Sequence, residues 1–448
     1  MPDDEKSVEL DQSLFAFQTS LARAREANNA TQICLFLKKC GQIYLEKEDA
    51  PKALTCFEEA LQIAKQIQEK ETEAQLFGYK GLALKMLGNY GMALESFQKS
   101  NGIASSLHQP VLVCDALMQM AVLETDLNEN QKAVDNLVQA LEITEKNSDS
   151  QRKMRILSLL GDNYYALGDF DKAEKYYLTA YEIAGNVGNR SAECSFLTKR
   201  GNVSLRKGDK TTAIEQYEGA LVIASELENR SAEINVLGGL FRANALGGDA
   251  GLATFYGERV IQLAHEINYF EAEIINIHAL STFLLEQKDF DKALSYLERA
   301  RQLAEENQSP DWLLTILTII GQAYYDKGEN EQSLEVFSRV LHVSQMYSEK
   351  GIEAKTLGYI GSILADTKRF DEAHEQLQLA IDIAQELGDL QLIGNDQMLL
   401  ALNYREQDDL QNAIQYCKAA VETYQKIPSQ EMVEQADALL AELESQQR

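Results

Sequence analysis

A forty-residue repeat runs through this chain from residue 41 to residue 413 without an insertion or deletion. Its first recurring feature is a small residue, which stands at positions 41, 81, 121, 161, 201, 281, 321, 361 and 401. A second small residue follows twelve positions later, at 53, 93, 133, 173, 213, 253, 293, 333, 373 and 413. So strict a period indicates one array of stacked structural units rather than several unrelated domains.

Residues 154–193 show one unit clearly. Apolar and small residues at 157, 160, 161 and 164 share one helical face and predict a first helix. Gly168 suits a left-handed helix end, and Asp169 can cap the second helix, whose core face carries Ala173 and Ala180. Asp recurs at this capping position at 49, 209, 249, 289 and 409, and Asn stands there at 89.

The small residues have a mechanical explanation. Two antiparallel helices approach closely only where side chains are small, so Gly161, Ala173 and Ala180 are predicted to mark the crossing. The larger Tyr164 and Tyr177 would fill the space beside it and the contact to the next unit. A single helix pair cannot bury its apolar face alone, so stability must come from stacking.

This pattern resembles the tetratricopeptide repeat (TPR), whose signature begins W-x2-L-G-x2-Y and continues A-x3-F. The matching residues are Leu160, Gly161, Tyr164, Ala173, Tyr177 and Ala180, while Leu157 and Gly185 depart from the pattern. The forty-residue form is similar to repeats of LGN/Pins scaffolds, kinesin light chain and sensor domains of bacterial regulators. The resemblance implies an all-α, right-handed superhelical solenoid of about ten helix-turn-helix repeats with a capping helix at each end.

The repeat register can be followed to both ends of the chain. It predicts an N-terminal half-repeat capping helix within 1–32, ten tandem repeats in 33–427 and a C-terminal capping helix in 428–448. Residues 8–27 match a lone second helix, and residues 429–446 match a lone first helix. On this division no segment is left over for a separate catalytic or DNA-binding domain.

Composition narrows the classes of partner. The net charge of −28 disfavours nucleic acid and anionic lipid surfaces, because both would be repelled. No apolar run approaches the ~20 residues that span a bilayer, so no direct membrane insertion is expected. Six scattered cysteines and the lack of a signal peptide indicate buried, reduced thiols in a cytoplasmic protein.

Sequence patterns of catalysis are missing. The chain has no GxSxG elbow, P-loop, HExxH motif or glycine-rich nucleotide loop. Its five histidines are too dispersed to indicate a metal cluster. We therefore expect a binding protein that is not an enzyme and that holds no metal or cofactor.

In the TPR family the first helix of each pair lines the concave surface. The exposed positions of that helix should be the second, fifth, ninth and twelfth of each unit. The candidate partner-binding residues chosen from these positions are Arg155, Asn202, Asn235, Arg242, His278, Thr282, Gln322, Tyr325, Lys355 and Arg405.

These positions carry more basic than acidic residues. The basic ones are Lys38, Lys85, Arg155, Arg242, Lys355 and Arg405, and the acidic ones are Asp115 and Asp162. The excess suggests that an extended segment with carboxylates binds here, its backbone held by Asn, Gln and Thr. If the thirteenth position of each repeat is counted as well, the totals become seven basic and eight acidic residues. The positive excess therefore holds only if the thirteenth position lies on the rim of the groove. Ordinary solvated side chains are the alternative interpretation.

Arg242, His278 and Thr282 come from adjacent repeats near the middle of the array and are predicted to form one polar cluster.

The sixth repeat departs from the forty-residue pattern. In the sixth repeat Phe241 replaces the small residue and Gly257 replaces the aromatic residue, an exchange that can conserve volume. Glycine weakens helices, so the glycine-rich residues 234–260 form either a joint between two halves or a decayed repeat.

The favoured functional hypothesis is a scaffold or adaptor that captures a peptide segment or helix of a partner protein in the concave groove. One alternative is a sensor that binds a short signalling peptide and has its effector in trans. Another is a structural subunit of a larger assembly. The sequence does not determine the partner or the oligomeric state.

Overall fold

The protein is described by a computed structural model that covers residues 2–147 and 149–447, with side chains for 8–144 and 149–447. The chain divides into two compact units, Met1–Gly247 and Gly248–Arg448. Within the described ranges, α-helices alternate with short linkers and there is no β-strand. The predicted all-α class and the helix-turn-helix repeat are confirmed.

Helices α1 to α12 form the described part of the first unit. They are α1 (Pro2–Glu26), α2 (Ala30–Glu46), α3 (Ala50–Gln66), α4 (Lys70–Met86), α5 (Tyr90–Ser106), α6 (Pro110–Asp126), α7 (Asn130–Asn147), α8 (Ser150–Ala166), α9 (Phe170–Asn186), α10 (Arg190–Arg206), α11 (Lys210–Glu226) and α12 (Arg230–Gly247).

Helices α13 to α22 form the described part of the second unit. They are α13 (Ala250–Glu266), α14 (Phe270–Glu286), α15 (Phe290–Glu306), α16 (Pro310–Lys327), α17 (Asn330–Tyr347), α18 (Lys350–Asp366), α19 (Phe370–Leu387), α20 (Leu390–Glu406), α21 (Leu410–Tyr424) and α22 (Gln430–Gln447). In both units the even-numbered helices are the first helices of the repeats.

A contact between a glycine and an aromatic ring sixteen residues later explains the small residue at the start of five repeats, those of Gly41, Gly81, Gly161, Gly201 and Gly321. In the pair α10 and α11, an ideal Cβ on Gly201 would lie 2.6 Å from Cε1 of Tyr217, which is fully buried. Real Cβ atoms do not approach a ring carbon so closely, so only glycine lets the ring lie flat on the first helix. Gly81 has the same relationship to Phe97. The predicted close helix crossing is therefore present, and the ring sixteen residues later is its specific cause.

The linkers repeat with a period of half a unit. One residue in every twenty, from 28 to 408, has a positive φ between 50° and 83°, except residue 148, which lies outside the described residues. This left-handed residue ends one helix, and the next residue precedes the following helix. Several of these residues are not glycine, for example Glu48 and Lys288.

Aspartate caps the second helices as predicted. The carboxylates of Asp49, Asp169, Asp209, Asp249, Asp289 and Asp409 each accept a hydrogen bond from the backbone N–H three residues later. Asn89 was expected to act in the same way, and that expectation was wrong because its side chain makes no capping hydrogen bond. Each aspartate satisfies one of the backbone donors left free at a helix start.

The terminal helices pack onto their neighbouring repeats. Leu21 of α1 belongs to the core formed with Leu37 and Phe57, and the helix begins earlier than the expected residue 8. At the other end, Leu439 and Leu443 of α22 join the core of the last repeat. The division into caps and ten repeats at residues 32 and 428 stays a prediction.

Phe241 lies in the first unit and Gly257 in the second, since the units divide between Gly247 and Gly248. Both residues are buried. The compensation of side-chain volume between Phe241 and Gly257 stays a prediction, and so does the joint at residues 234–260.

Candidate binding groove

Within each unit, first helices of adjacent repeats contact one another directly, although a second helix separates them in the chain. In the first unit this joins α2 to α4, α4 to α6, α6 to α8 and α10 to α12, and in the second α14 to α16 and α18 to α20. The first helices therefore form an inner layer. We call the exposed side of this layer the groove face; it carries the second, fifth, ninth and twelfth positions of the repeats.

The groove face of the first unit contains a cavity of about 500 Å³ between α10 and α12. Asn202, Asn235 and Arg242, all predicted binding residues, line it together with Lys199. Oδ1 of Asn202 accepts hydrogen bonds from the Arg242 guanidinium at 3.3 Å and from the Tyr217 hydroxyl at 2.7 Å. These bonds fix the carboxamide and leave most of the guanidinium donors of Arg242 free.

Lys199 is not among the candidate residues, because it occupies the sixth position of its repeat and the groove pattern uses the fifth. Its ammonium donates to both carboxylate oxygens of Asp162 at 2.7 Å and to the hydroxyl of Ser158 at 2.9 Å. Asp162 also accepts a hydrogen bond from Tyr177. The other predicted acidic groove residue, Asp115, pairs with Arg152 at 3.1 Å. Both groove carboxylates are thus already neutralised by neighbouring cations.

Arg155 lines a smaller cavity of about 260 Å³ with Tyr79, Asp115 and Gln119. Among the described side chains, no carboxylate forms an ion pair with Arg155, Arg242 or Lys355. Their positive charges are therefore available to a ligand.

The second unit has a groove cavity of about 580 Å³ between α16, α18 and α20. It is lined by the predicted residues Gln322, Tyr325 and Lys355, with Tyr359 beside them. The Gln322 carboxamide donates to the Tyr359 hydroxyl at 2.7 Å, linking two repeats. The Tyr325 hydroxyl donates to Asp366, and this hydrogen bond raises the pKa of Tyr325.

Asp396 also lines this cavity and was not among the candidate residues. Its side chain is buried, with 2% of its surface exposed, and its Oδ2 has no hydrogen-bond partner among the described residues. Burial raises the pKa of the Asp396 carboxyl to about 7. A buried carboxyl group without a partner is uncommon because its desolvation is not compensated.

Three predicted residues of the second unit do not line these cavities. The His278 ring contacts Trp312 edge to face, with 6.2 Å between centroids, and burial lowers the pKa of His278. The Thr282 hydroxyl donates to the His278 carbonyl of its own helix at 2.9 Å. Arg405 lies 3.7 Å from a Glu442 carboxylate oxygen. Because Arg242 belongs to the first unit, its predicted cluster with His278 and Thr282 stays a prediction.

The thirteenth position of each repeat, which follows the last groove position, is not confined to a separate rim of the groove face. Asp126 forms an ion pair with groove residue Lys85 at 2.5 Å. Asp326 lines the same cavity as Lys355. The general positive excess therefore stays a prediction, and among the described side chains Arg242 carries a positive charge that no carboxylate pairs with.

Across the described residues, no group of three or more His, Cys, Asp and Glu side chains is arranged to hold a metal ion. None of the helices described here combines the length and the apolar character needed to cross a bilayer.

Comparison with protein families decides the identity of the repeat. One model of the tetratricopeptide repeat matches residues 112–186, 272–346 and 313–386, and a second model of it matches 158–227. Together the matches cover more than half of the chain. This chain belongs to the tetratricopeptide repeat family.

One similar TPR protein is tetratricopeptide repeat protein 29 of Trypanosoma brucei brucei. It is 27% identical over 160 residues, which are 36% of this chain and 32% of that protein. The chain therefore matches only about a third of the length of this curated relative.

Two solved structures are similar in fold to this TPR chain. A Signal Transduction ATPase with Numerous Domains protein with a TPR sensor, from Pyrococcus horikoshii, has a TM-score of 0.51 at 17% identity, covering 91% of this chain and 55% of that one. BtubC (BKLC) from P. vanneervenii has a TM-score of 0.46 at 17% identity, covering 49% of this chain and 92% of that one. The archaeal likeness supports the TPR fold.

Proposed function

We propose that this TPR protein is a non-catalytic interaction scaffold that binds an extended segment or helix of a partner protein along its groove face. The observation that carries the proposal is the cavity of about 500 Å³ lined by Lys199, Asn202, Asn235 and Arg242. It offers amide groups suited to a peptide backbone and a guanidinium without a carboxylate partner among the described side chains. Grooves of this polarity suit peptides with acidic groups.

The pairing of the groove carboxylates supports an acidic ligand at this cavity. Asp162 is held by Lys199 and Tyr177, so it does not compete with a ligand for Arg242. A carboxylate entering the cavity would meet the guanidinium of Arg242 and the carboxamide of Asn235. Charge-assisted hydrogen bonds of this kind contribute about 1.5–3 kcal/mol each.

Affinity purification with the full chain, followed by peptide-array mapping of each partner, tests the proposal. Arg242→Ala should weaken binding of the mapped segment about tenfold or more, through loss of a charge-assisted hydrogen bond. Lys175→Ala is the matched control, because it removes one exposed positive charge from the second helix α9 of the same unit. Equal affinities of the wild-type protein and Arg242→Ala would contradict the assignment of this cavity.

The same experiment separates the rival functions. Several unrelated partners that share one groove segment support an adaptor. A single short peptide supports a sensor with its effector in trans, and one stoichiometric complex supports a structural subunit.

A further inference from the structure

The second unit contains a carboxyl group that its own fold leaves unsatisfied. Asp396 lies on α20 at a register position held by apolar residues in most other repeats: Phe36, Leu76, Ala116, Ile156, Phe196, Val236 and Ile316. Like most of these it is buried, yet among the described residues its Oδ2 has no hydrogen-bond donor. Such a group costs stability in the free protein.

A glycine lines the cavity beside Asp396. Gly358 of α18 faces the carboxyl, and an ideal Cβ there would lie 2.8 Å from Oδ1 of Asp396. The same register position is glycine in three of the ten repeats, at 78, 238 and 358, and carries a side chain in the other seven, for example Met118 and Met398. The glycine therefore leaves room in front of the carboxyl, within a cavity of about 580 Å³, a size typical of ligand sites.

The cavity opens onto the groove face. Lys355, Tyr359 and Asn395 line it and are exposed, so a bound segment can reach it from solvent. The Tyr359 ring stacks on Phe337 with 5.0 Å between centroids, and both rings are among the lining residues. Aromatic faces next to a carboxylate attract cations.

We propose that this cavity receives a lysine or arginine side chain of the bound segment, with the Asp396 carboxylate as its counter-ion. The inference rests on the proposed function, since it takes the occupant to be part of a peptide in the groove. An incoming ammonium or guanidinium supplies the donors that Asp396 lacks. Asp326 lines the same cavity and adds a second negative charge.

Lys355 is the internal cation that could compete for this role. Its side chain is exposed and, among the described side chains, forms no ion pair with Asp396 or with any other carboxylate. Because Lys355 is exposed and unpaired, an incoming cation can displace it toward the groove, where it can bind an acidic residue of the same segment. The site therefore favours a segment in which a basic residue has an acidic neighbour.

Binding at this site is coupled to protonation. Burial raises the pKa of Asp396 to about 7, so the carboxyl is partly neutral near neutral pH and a poorer counter-ion below it. The ionisable groups around it are Asp389, which caps the start of α20, Lys355 and Tyr359 on α18, Tyr325 and Asp326 on α16, and Tyr424 on α21. Affinity for a basic segment should rise from pH 6 to pH 8, as the carboxylate becomes ionised.

The test is an array of random dodecapeptides probed with the labelled full chain. Bound peptides should share a lysine or arginine at one position, and replacing that residue with ε-acetyl-lysine should weaken binding about tenfold or more. Asp396→Asn should abolish the discrimination between lysine and acetyl-lysine, together with its increase between pH 6 and pH 8.

A matched variant controls for general effects. Asp382→Asn removes an exposed carboxylate from the second helix α19 and should leave the lysine preference unchanged. If peptides bind without a preference for a basic residue, or if that preference persists in Asp396→Asn, this inference is wrong while the proposed function stands. If no peptide binds the wild-type protein, the proposed function fails, and this inference fails with it.

Discussion

Gly358 and Asp396 form a complementary pair on neighbouring first helices, since the carboxyl oxygen Oδ1 occupies the space that a side chain at position 358 would need. The distance from an ideal Cβ of residue 358 to that oxygen would be 2.8 Å, too short for unstrained contact. The glycine thus makes room for the carboxyl, and the carboxyl gives the cavity its charge.

This dependence predicts a strong coupling in a double-mutant cycle. Gly358→Ala should destabilise the wild-type protein by about 1–3 kcal/mol, because the buried carboxyl must move to accommodate the new methyl group. In an Asp396→Ala background the same change should cost little. Urea unfolding of the four proteins measures the coupling, and additive effects within about 0.5 kcal/mol would show that the two residues do not interact.

The buried carboxyl also predicts a pH dependence of stability. The pKa of Asp396 is about 7 in the folded chain and about 3.9 in an unfolded one, so between these values the folded state binds more protons. Its contribution to the free energy of unfolding therefore falls as pH rises through this window and is constant above about 7.

Asp396→Asn removes that contribution. The variant should match the wild-type protein near pH 4 and become more stable than it by up to about 4 kcal/mol at pH 8. Unfolding midpoints at a series of pH values measure the difference. A constant difference from pH 4 to pH 8 would mean that Asp396 titrates normally.

The contact between Gly201 and Tyr217 predicts that even alanine is too large at the start of this repeat. Gly201→Ala should lower stability by about 1–3 kcal/mol, since the added Cβ meets the buried ring and outweighs the gain in helix propensity. Gly102→Ala is the matched control in the same unit, because nothing lies within 4 Å of its ideal Cβ. That substitution should stabilise α5 by up to about 1 kcal/mol, and thermal unfolding distinguishes the two results.

The six cysteines should be unreactive in the folded protein. Burial raises the pKa of the thiols of Cys56, Cys114 and Cys417 to about 11, and it raises the pKa of the remaining three as well. The thiolate is the reactive form, so little is present at pH 8. Ellman's reagent at pH 8 should release almost no colour until urea is added, and then six equivalents per chain. Rapid labelling of one thiol in native buffer would reveal local opening.

Much of the fold could be predicted because one period specifies both helix position and packing. The contact between Gly201 and the aromatic residue sixteen positions later recurs in four other repeats. The left-handed linker residues were less predictable. Glu48 and Lys288 adopt positive φ although their side chains disfavour it, because the helices on both sides dictate the turn.

The groove residues were chosen from register alone, and register gives exposure without giving partners. It could not show that Lys199 turns to Asp162 while Arg242 keeps free donors, since that depends on side-chain conformation. The signal for Asp396 was present in the sequence, as a carboxylate in a predominantly apolar column. The groove pattern does not single out Asp396, because that pattern considers only the exposed columns.

The linkers, which place one left-handed residue in every twenty, also bear on how a chain of this kind can change in length. Every joint described has the same spacing, so gain or loss of a forty-residue block would restore the same joint at the new boundary. Duplication or deletion of whole blocks is therefore compatible with the surviving core contacts, whereas a change of one or two residues inside a helix would displace the ring from its glycine. The architecture tolerates growth in whole repeats far better than small insertions.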